Sequence, residues 1–182
     1  MLKASQNPPT AHPQTGSIRD FSGRWWVAHT KARSEKAFAW DLLHQNISYF
    51  LPITQRIRFS GGRKRRVLLP LFSSYVFFCA DEHNRQTALA TDRLCQVIAV
   101  RDQNKLIDDL AAIERVLAEN VSLDPYPFAV VGKRVRISRG PFEGICGTID
   151  RRDNINRMVL SIDVLGHGAA MEIDTDLLES LE

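Results

Sequence analysis

Six cations stand within eleven residues of this chain, Arg56, Arg58, Arg63, Lys64, Arg65 and Arg66, with no acid among them. The chemistry such a cluster offers is phosphate binding, in which each neutralised phosphate releases counterions and affinity falls with salt. A solvated hairpin tip is the commoner origin of a charge run, so both readings stand at this point. Lys31, Arg33 and Lys36 form a second basic spot at the start of an expected helix, where free N–H groups favour anions.

The other dense feature is aromatic. Pro70-Leu-Phe-Ser-Ser-Tyr-Val-Phe-Phe78 puts four rings, Phe72, Tyr75, Phe77 and Phe78, into nine residues. Strand alternation sends Tyr75 and Phe77 to one face and Val76 and Phe78 to the other. One face packs under helices; the other is either a second core layer or an exposed apolar patch of the kind that marks a partner site.

The sequence carries no motif for bond-making chemistry. The chain has no Gly-x-Ser-x-Gly elbow, no phosphate-binding Walker loop, no His-Glu-x-x-His pair and no dinucleotide glycine fingerprint. His44, His83 and His167 are scattered, and His29 is distinguished only by following a Trp pair at a strand end. Asp108 and Asp109 begin a helix, where the positive end of the dipole is reason enough for them. Three cysteines, Cys79, Cys95 and Cys146, are odd in number and in no metal-like pair, which suits reduced thiols in a cytoplasmic protein without zinc, disulfides or another cofactor.

Positioning these residues takes two small domains. With 182 residues and 44% apolar content the chain can bury one or two modest cores. A net charge of +3 permits nucleic acid as a partner without demanding it. Residues 1–22, rich in Pro and polar side chains and lacking an apolar run, read as a disordered leader and neither a signal peptide nor a membrane span. From 23 to 121, the run Trp25-Trp26-Val27-Ala28 reads as a buried strand, 33–46 as an amphipathic helix and 47–52 as a strand. Strands at 55–59 and 65–69 meet through Ser60, Gly61 and Gly62 as a hairpin. The aromatic run follows, then a weak helix within 81–93, a strand at 97–100 and a helix through Leu106, Leu110, Ile113 and Leu117. Residues 122–131 contain Pro125 and Pro127, which forbid helix and favour an extended linker.

From 132 to 182 the pattern changes to five short strands, as a small barrel requires. Its opening reads Val135-Arg-Ile-Ser-Arg-Gly-Pro-Phe-Glu-Gly-Ile-Cys-Gly-Thr-Ile149, two alternating strands around a turn. Gly140 and Gly144 can take positive φ without steric cost and Pro141 presets its own, which holds Phe142 on a tight loop.

The order of these parts resembles the NusG family from Trp25 to Leu181. Trp25-Trp26-Val27 is similar to the opening strand of the family's NGN domain, Pro70 to Phe77 to its Pro-x-Phe-x-x-Tyr-(Val/Leu)-Phe motif, and Gly140 to Gly144 to the KOW turn. The resemblance implies an α+β sandwich, an antiparallel sheet with flanking helices, followed by a small all-β SH3-like KOW barrel. It also implies a monomeric transcription elongation factor, neither enzyme nor membrane protein, that docks on the clamp helices of the largest RNA polymerase subunit.

By motif position Phe72, Tyr75 and Phe77 would form the docking surface, with His29 beside them. Lys31 and Arg93 would lie near non-template DNA, with Arg33 and the basic run Arg63, Lys64, Arg65 and Arg66 as further nucleic-acid contacts. Phe142 would stand where the KOW domain meets Rho or the NusE ribosomal protein. Housekeeping members usually carry Pro-Gly before the motif tyrosine; Ser73-Ser74 here is closer to specialised paralogs of the RfaH and UpxY type. Such a paralog would suppress pausing or termination. A housekeeping NusG or a ribosome-associated KOW protein are the competing expectations. Asn84 to Thr87 replaces the RfaH stretch that touches the polymerase gate loop, and the β-branched first half of the KOW segment does not point to refolding into helices.

Overall fold

The structure, a computed structural model, describes residues 7–126, 132–152 and 155–181. It divides into two compact units, Met1–Gln103 and Asn104–Glu182. The first contains strands β1 (Ala11–His12), β2 (Arg24–Thr30), β3 (Ser48–Phe50), β4 (Ile53–Ser60), β5 (Arg63–Pro70), β6 (Tyr75–Ala80) and β7 (Leu94–Ala99), with helices α1 (Glu35–His44) and α2 (Glu82–Leu89). Helix α3 (Gln103–Ala118) opens the second, followed by β8 (Asp124–Tyr126), β9 (Arg134–Ile137), β10 (Cys146–Arg152), β11 (Ile155–Ile162), β12 (His167–Glu172) and β13 (Leu178–Ser180).

The main sheet of the first unit is antiparallel in the order β1-β3-β6-β2-β7. Alternation sorts its side chains as expected. Ala28, Val76 and Phe78 point to the face that packs with Phe38, Ala39 and Leu42 of α1, and the rings of Phe38 and Phe78 meet edge to face at 6.1 Å. The opposite face is a second buried layer containing Trp25, Val27, Phe50 and Phe77. Helix α1 begins two residues later than expected, because Arg33 takes a left-handed φ of 62° that a helix interior excludes.

The leader is not disordered over its described part. Ala11 and His12 pair with Phe50 and Tyr49, Pro9 accepts the Tyr49 hydroxyl at 3.0 Å, Ile18 is buried and Phe21 stacks on Trp25 at 5.6 Å. Edge strand β3 offers unpaired backbone groups, and the leader satisfies them.

The second unit has the short antiparallel strands expected of a small all-β domain. Among the described residues its strands form one open antiparallel sheet in the order β13-β9-β10-β11-β12-β8, with no ladder closing it. Pro125 suits β8 to an edge, since a strand bearing proline lacks a ladder donor. Residues 124–126, expected within the linker, therefore belong to the sheet; 127–131 lie outside the described residues. On α3 the fully buried stripe is Leu106, Leu110, Ile113 and Val116, with Val116 taking the place expected for Leu117. Gly147 permits close packing of β10 on β11: a Cβ there would come within 2.7 Å of the Val159 carbonyl.

Candidate functional site

The aromatic motif is a turn feeding a strand. Leu71 N–H donates to Pro52 C=O at 2.8 Å, Tyr75 N–H to Phe72 C=O at 3.2 Å and Thr30 N–H to Ser74 C=O at 2.8 Å. Ser74 sits at φ 66°, and its own N–H donates to the Glu35 carboxylate at 2.6 Å. These bonds fix where Tyr75 leaves the turn. In register Tyr75 pairs with His29, and their half-buried rings stack at 5.1 Å with 23° between planes.

Phe72 and Phe77 do not share that exposure. They are 2% and 0% exposed and meet edge to face at 5.9 Å, so they build the floor beneath the turn and present no ring to a partner. The expectation that all three motif rings form the outer surface is corrected on that ground: a ring on the second face of a sheet is available only where nothing covers it. The surface left at this end of the sheet is His29 with Tyr75.

The expected nucleic-acid residues separate into two groups. Lys31 N–H donates to Arg93 C=O at 2.8 Å, which brings these two together. Each cation also meets an acid: Lys31 Nζ lies 2.8 Å from Asp92, and Arg93 Nε lies 2.9 Å from Asp41. The Lys31 ammonium holds the Asp92 carboxyl below its usual range, chiefly through their hydrogen bond. Arg33 is exposed beside them. Lys36 is spent on structure, donating to Leu68 C=O at 2.6 Å and to Asn7, and burial lowers its pKa.

Arg63, Lys64, Arg65 and Arg66 lie on the β4–β5 hairpin, where all four are exposed and, among the described residues, none joins an ion pair. Gly61 and Gly62 turn the hairpin with φ of 58° and 73°, the double positive φ that suits the twist of a two-residue loop. Sequence reasoning passed over Ile57 and Phe59, which are 50% and 77% exposed on this hairpin. Their period of two reads as a half-buried strand, and only the tertiary structure shows that no layer covers them.

Phe142 is half-buried on the turn between β9 and β10. Gly140 and Gly144 take the expected positive φ, 91° and 86°, and Gly144 N–H donates to Ile137 C=O at 2.8 Å. Arg115 of α3 donates to Glu143 C=O at 2.8 Å, which steadies the same turn. Among the described residues no group of three His, Cys, Asp or Glu side chains can hold a metal ion, and no helix is long and apolar enough to cross a membrane.

A family model described as "NusG: Transcription termination factor nusG" matches residues 23–121. The chain belongs to the NusG family. That match runs from β2 through α3 and includes the basic hairpin, and members of the NusG family are transcription factors and not enzymes. Among solved structures, this NusG-family chain is similar to one described as "Domain interaction in Thermotoga maritima NusG", with 20% identity over 87% of this chain and 97% of that one and a TM-score of 0.45. It is also similar to a chain of "MjSpt4:Spt5 complex conformation B", with 14% identity over 87% and 97% of the two chains and a TM-score of 0.24. No curated protein matches.

Proposed function

We propose that this NusG-family chain is a specialised elongation factor that binds RNA polymerase through its NGN domain and promotes processive elongation against pausing and termination. The observation that carries the reading is the half-open His29–Tyr75 stack, held by Ser74 and Glu35 at one end of the main sheet. It offers apolar ring area with polar tips, the composition of an interface anchor. Tyr75 and His29 make the contact with the clamp helices of the largest subunit, while Phe72 and Phe77 hold the platform rigid from below.

Ser74 favours a paralog over the housekeeping member. It occupies a left-handed position where glycine is the unstrained choice, and housekeeping members usually place glycine before the motif tyrosine. Lys31, Arg33 and Arg93 face non-template DNA, with Asp92 and Asp41 as the acids a phosphate would displace. Phe142, on its glycine-bounded turn, meets a further partner, Rho or the NusE ribosomal protein. Purified chain added to elongating polymerase tests the reading: fewer and shorter pauses and more full-length transcript are expected. Unchanged pausing together with unchanged termination would refute it.

A further inference from the structure

We propose that the β4–β5 hairpin binds single-stranded nucleic acid, with Phe59 stacking on an unpaired base while Lys64 and Arg66 neutralise the phosphates beside it. The two strands form a sheet of their own, hydrogen-bonded to no third strand among the described residues. Their register pairs Ile57 with Arg66 and Phe59 with Lys64, and cross-strand partners point to the same face. One face of the hairpin thus carries an isoleucine, an aromatic ring and two cations together.

The opposite face seats the hairpin. Thr54 and Val67 are 5% and 6% exposed, and Lys36 of α1 bonds the Leu68 carbonyl. The base is therefore fixed and the tip projects. At that tip stand the large apolar side chains that are most exposed among the described residues, Ile57 and Phe59, about 6.8 Å apart along the strand.

Charge selects the occupant. Residues 53–70 contain no acid, so the complement must be anionic. Lys31 and Arg93 elsewhere in this unit are matched by Asp92 and Asp41, whereas Arg63, Lys64, Arg65 and Arg66 join no ion pair among the described residues. A lipid surface calls for a broad apolar face beneath the cations, and two side chains are a small one. A nucleic acid supplies phosphates at regular spacing and flat bases for the ring. The bases must be unpaired, because stacking on an exposed ring needs a free π-face that a duplex keeps within its own stack. The proposal deepens the assignment of Arg63 to Arg66 to nucleic acid and is independent of polymerase docking.

The test measures fluorescence anisotropy of a labelled DNA single strand of about 20 nucleotides and of the matching duplex, titrated with the full chain across a salt series. Wild type is expected to prefer the single strand. Phe59→Ala should weaken single-strand binding on the order of tenfold, with duplex affinity and the salt slope unchanged. Lys64→Ala with Arg66→Ala should weaken both and make the slope shallower by about 1 to 2. All these side chains are exposed, so thermal unfolding of each variant should match wild type. Phe59→Ala binding the single strand as tightly as wild type, equal losses on strand and duplex, binding to anionic lipid vesicles in preference to DNA, or no DNA binding would each overturn the proposal. Retention on RNA polymerase is read separately, and its loss or survival in wild type bears on docking alone.

Discussion

The carboxylate of Glu35, in the first turn of α1, accepts the backbone N–H of Ser74 at 2.6 Å. This bond ties the helix to the turn from which Tyr75 departs. Glu35 is only 7% exposed, so truncation leaves a polar donor with little water to replace the acceptor. Glu35→Ala is expected to lower stability in urea unfolding by about 1 to 3 kcal/mol. Glu35→Gln keeps an oxygen acceptor and should lose less; equal losses would mean that charge at the helix start, and not the hydrogen bond, matters.

Ser74 holds φ at 66°, where a Cβ costs roughly 1 to 2 kcal/mol and glycine costs none. Glycine also gains freedom in the unfolded chain, which offsets about 0.4 to 1 kcal/mol. Ser74→Gly should therefore raise the urea midpoint, a net gain of up to about 1 kcal/mol. A lowered midpoint would show that the serine side chain makes a compensating interaction.

Burial pushes the Cys79 thiol up to about 11, while Cys95 and Cys146 are exposed. A folded-state pKa raised above the unfolded one gives stability that is complete below the unfolded value, near 9, and is lost as pH rises through the folded value. Stability should thus fall between pH 9 and 11 more steeply in wild type than in Cys79→Ala. Tyr49, whose phenol is raised by burial as well, adds the same downward trend to both proteins from about pH 10 upward, so the difference between them reports Cys79. A thiol reagent at pH 8 should modify Cys95 and Cys146 in the folded chain and Cys79 only after unfolding; rapid reaction at Cys79 would contradict its placement in the core.

Much of this architecture is legible where the signal is local. The paired glycines around Phe142, the Gly61-Gly62 hairpin and the alternation of Val76 and Phe78 against Tyr75 and Phe77 each depend on a few neighbouring residues, and each appears in the structure. Nothing local announces that Ala11 and His12 will complete the edge of β3, because their partners lie some forty residues away. The burial of Phe77 and the exposure of Phe59 are equally non-local. Both rings sit in alternating strands, and what differs is whether another layer lies above them. Asp92 beside Lys31 and Arg93 is visible in the sequence, yet the acid that holds Arg93 is Asp41, fifty-two positions away. Phe72, Tyr75 and Phe77 thus read alike as motif rings, and only the structure separates one surface ring from two core rings.

If His29 and Tyr75 anchor the chain on polymerase, as proposed, their removal is read out by retention on immobilised core RNA polymerase. Burying a ring of this size is worth about 1.5 to 3 kcal/mol, so Tyr75→Ala should weaken retention by at least about tenfold and His29→Ala with Tyr75→Ala by more, with the fold intact by circular dichroism. Retention of the folded double variant at the wild-type level would exclude these two rings as the anchor.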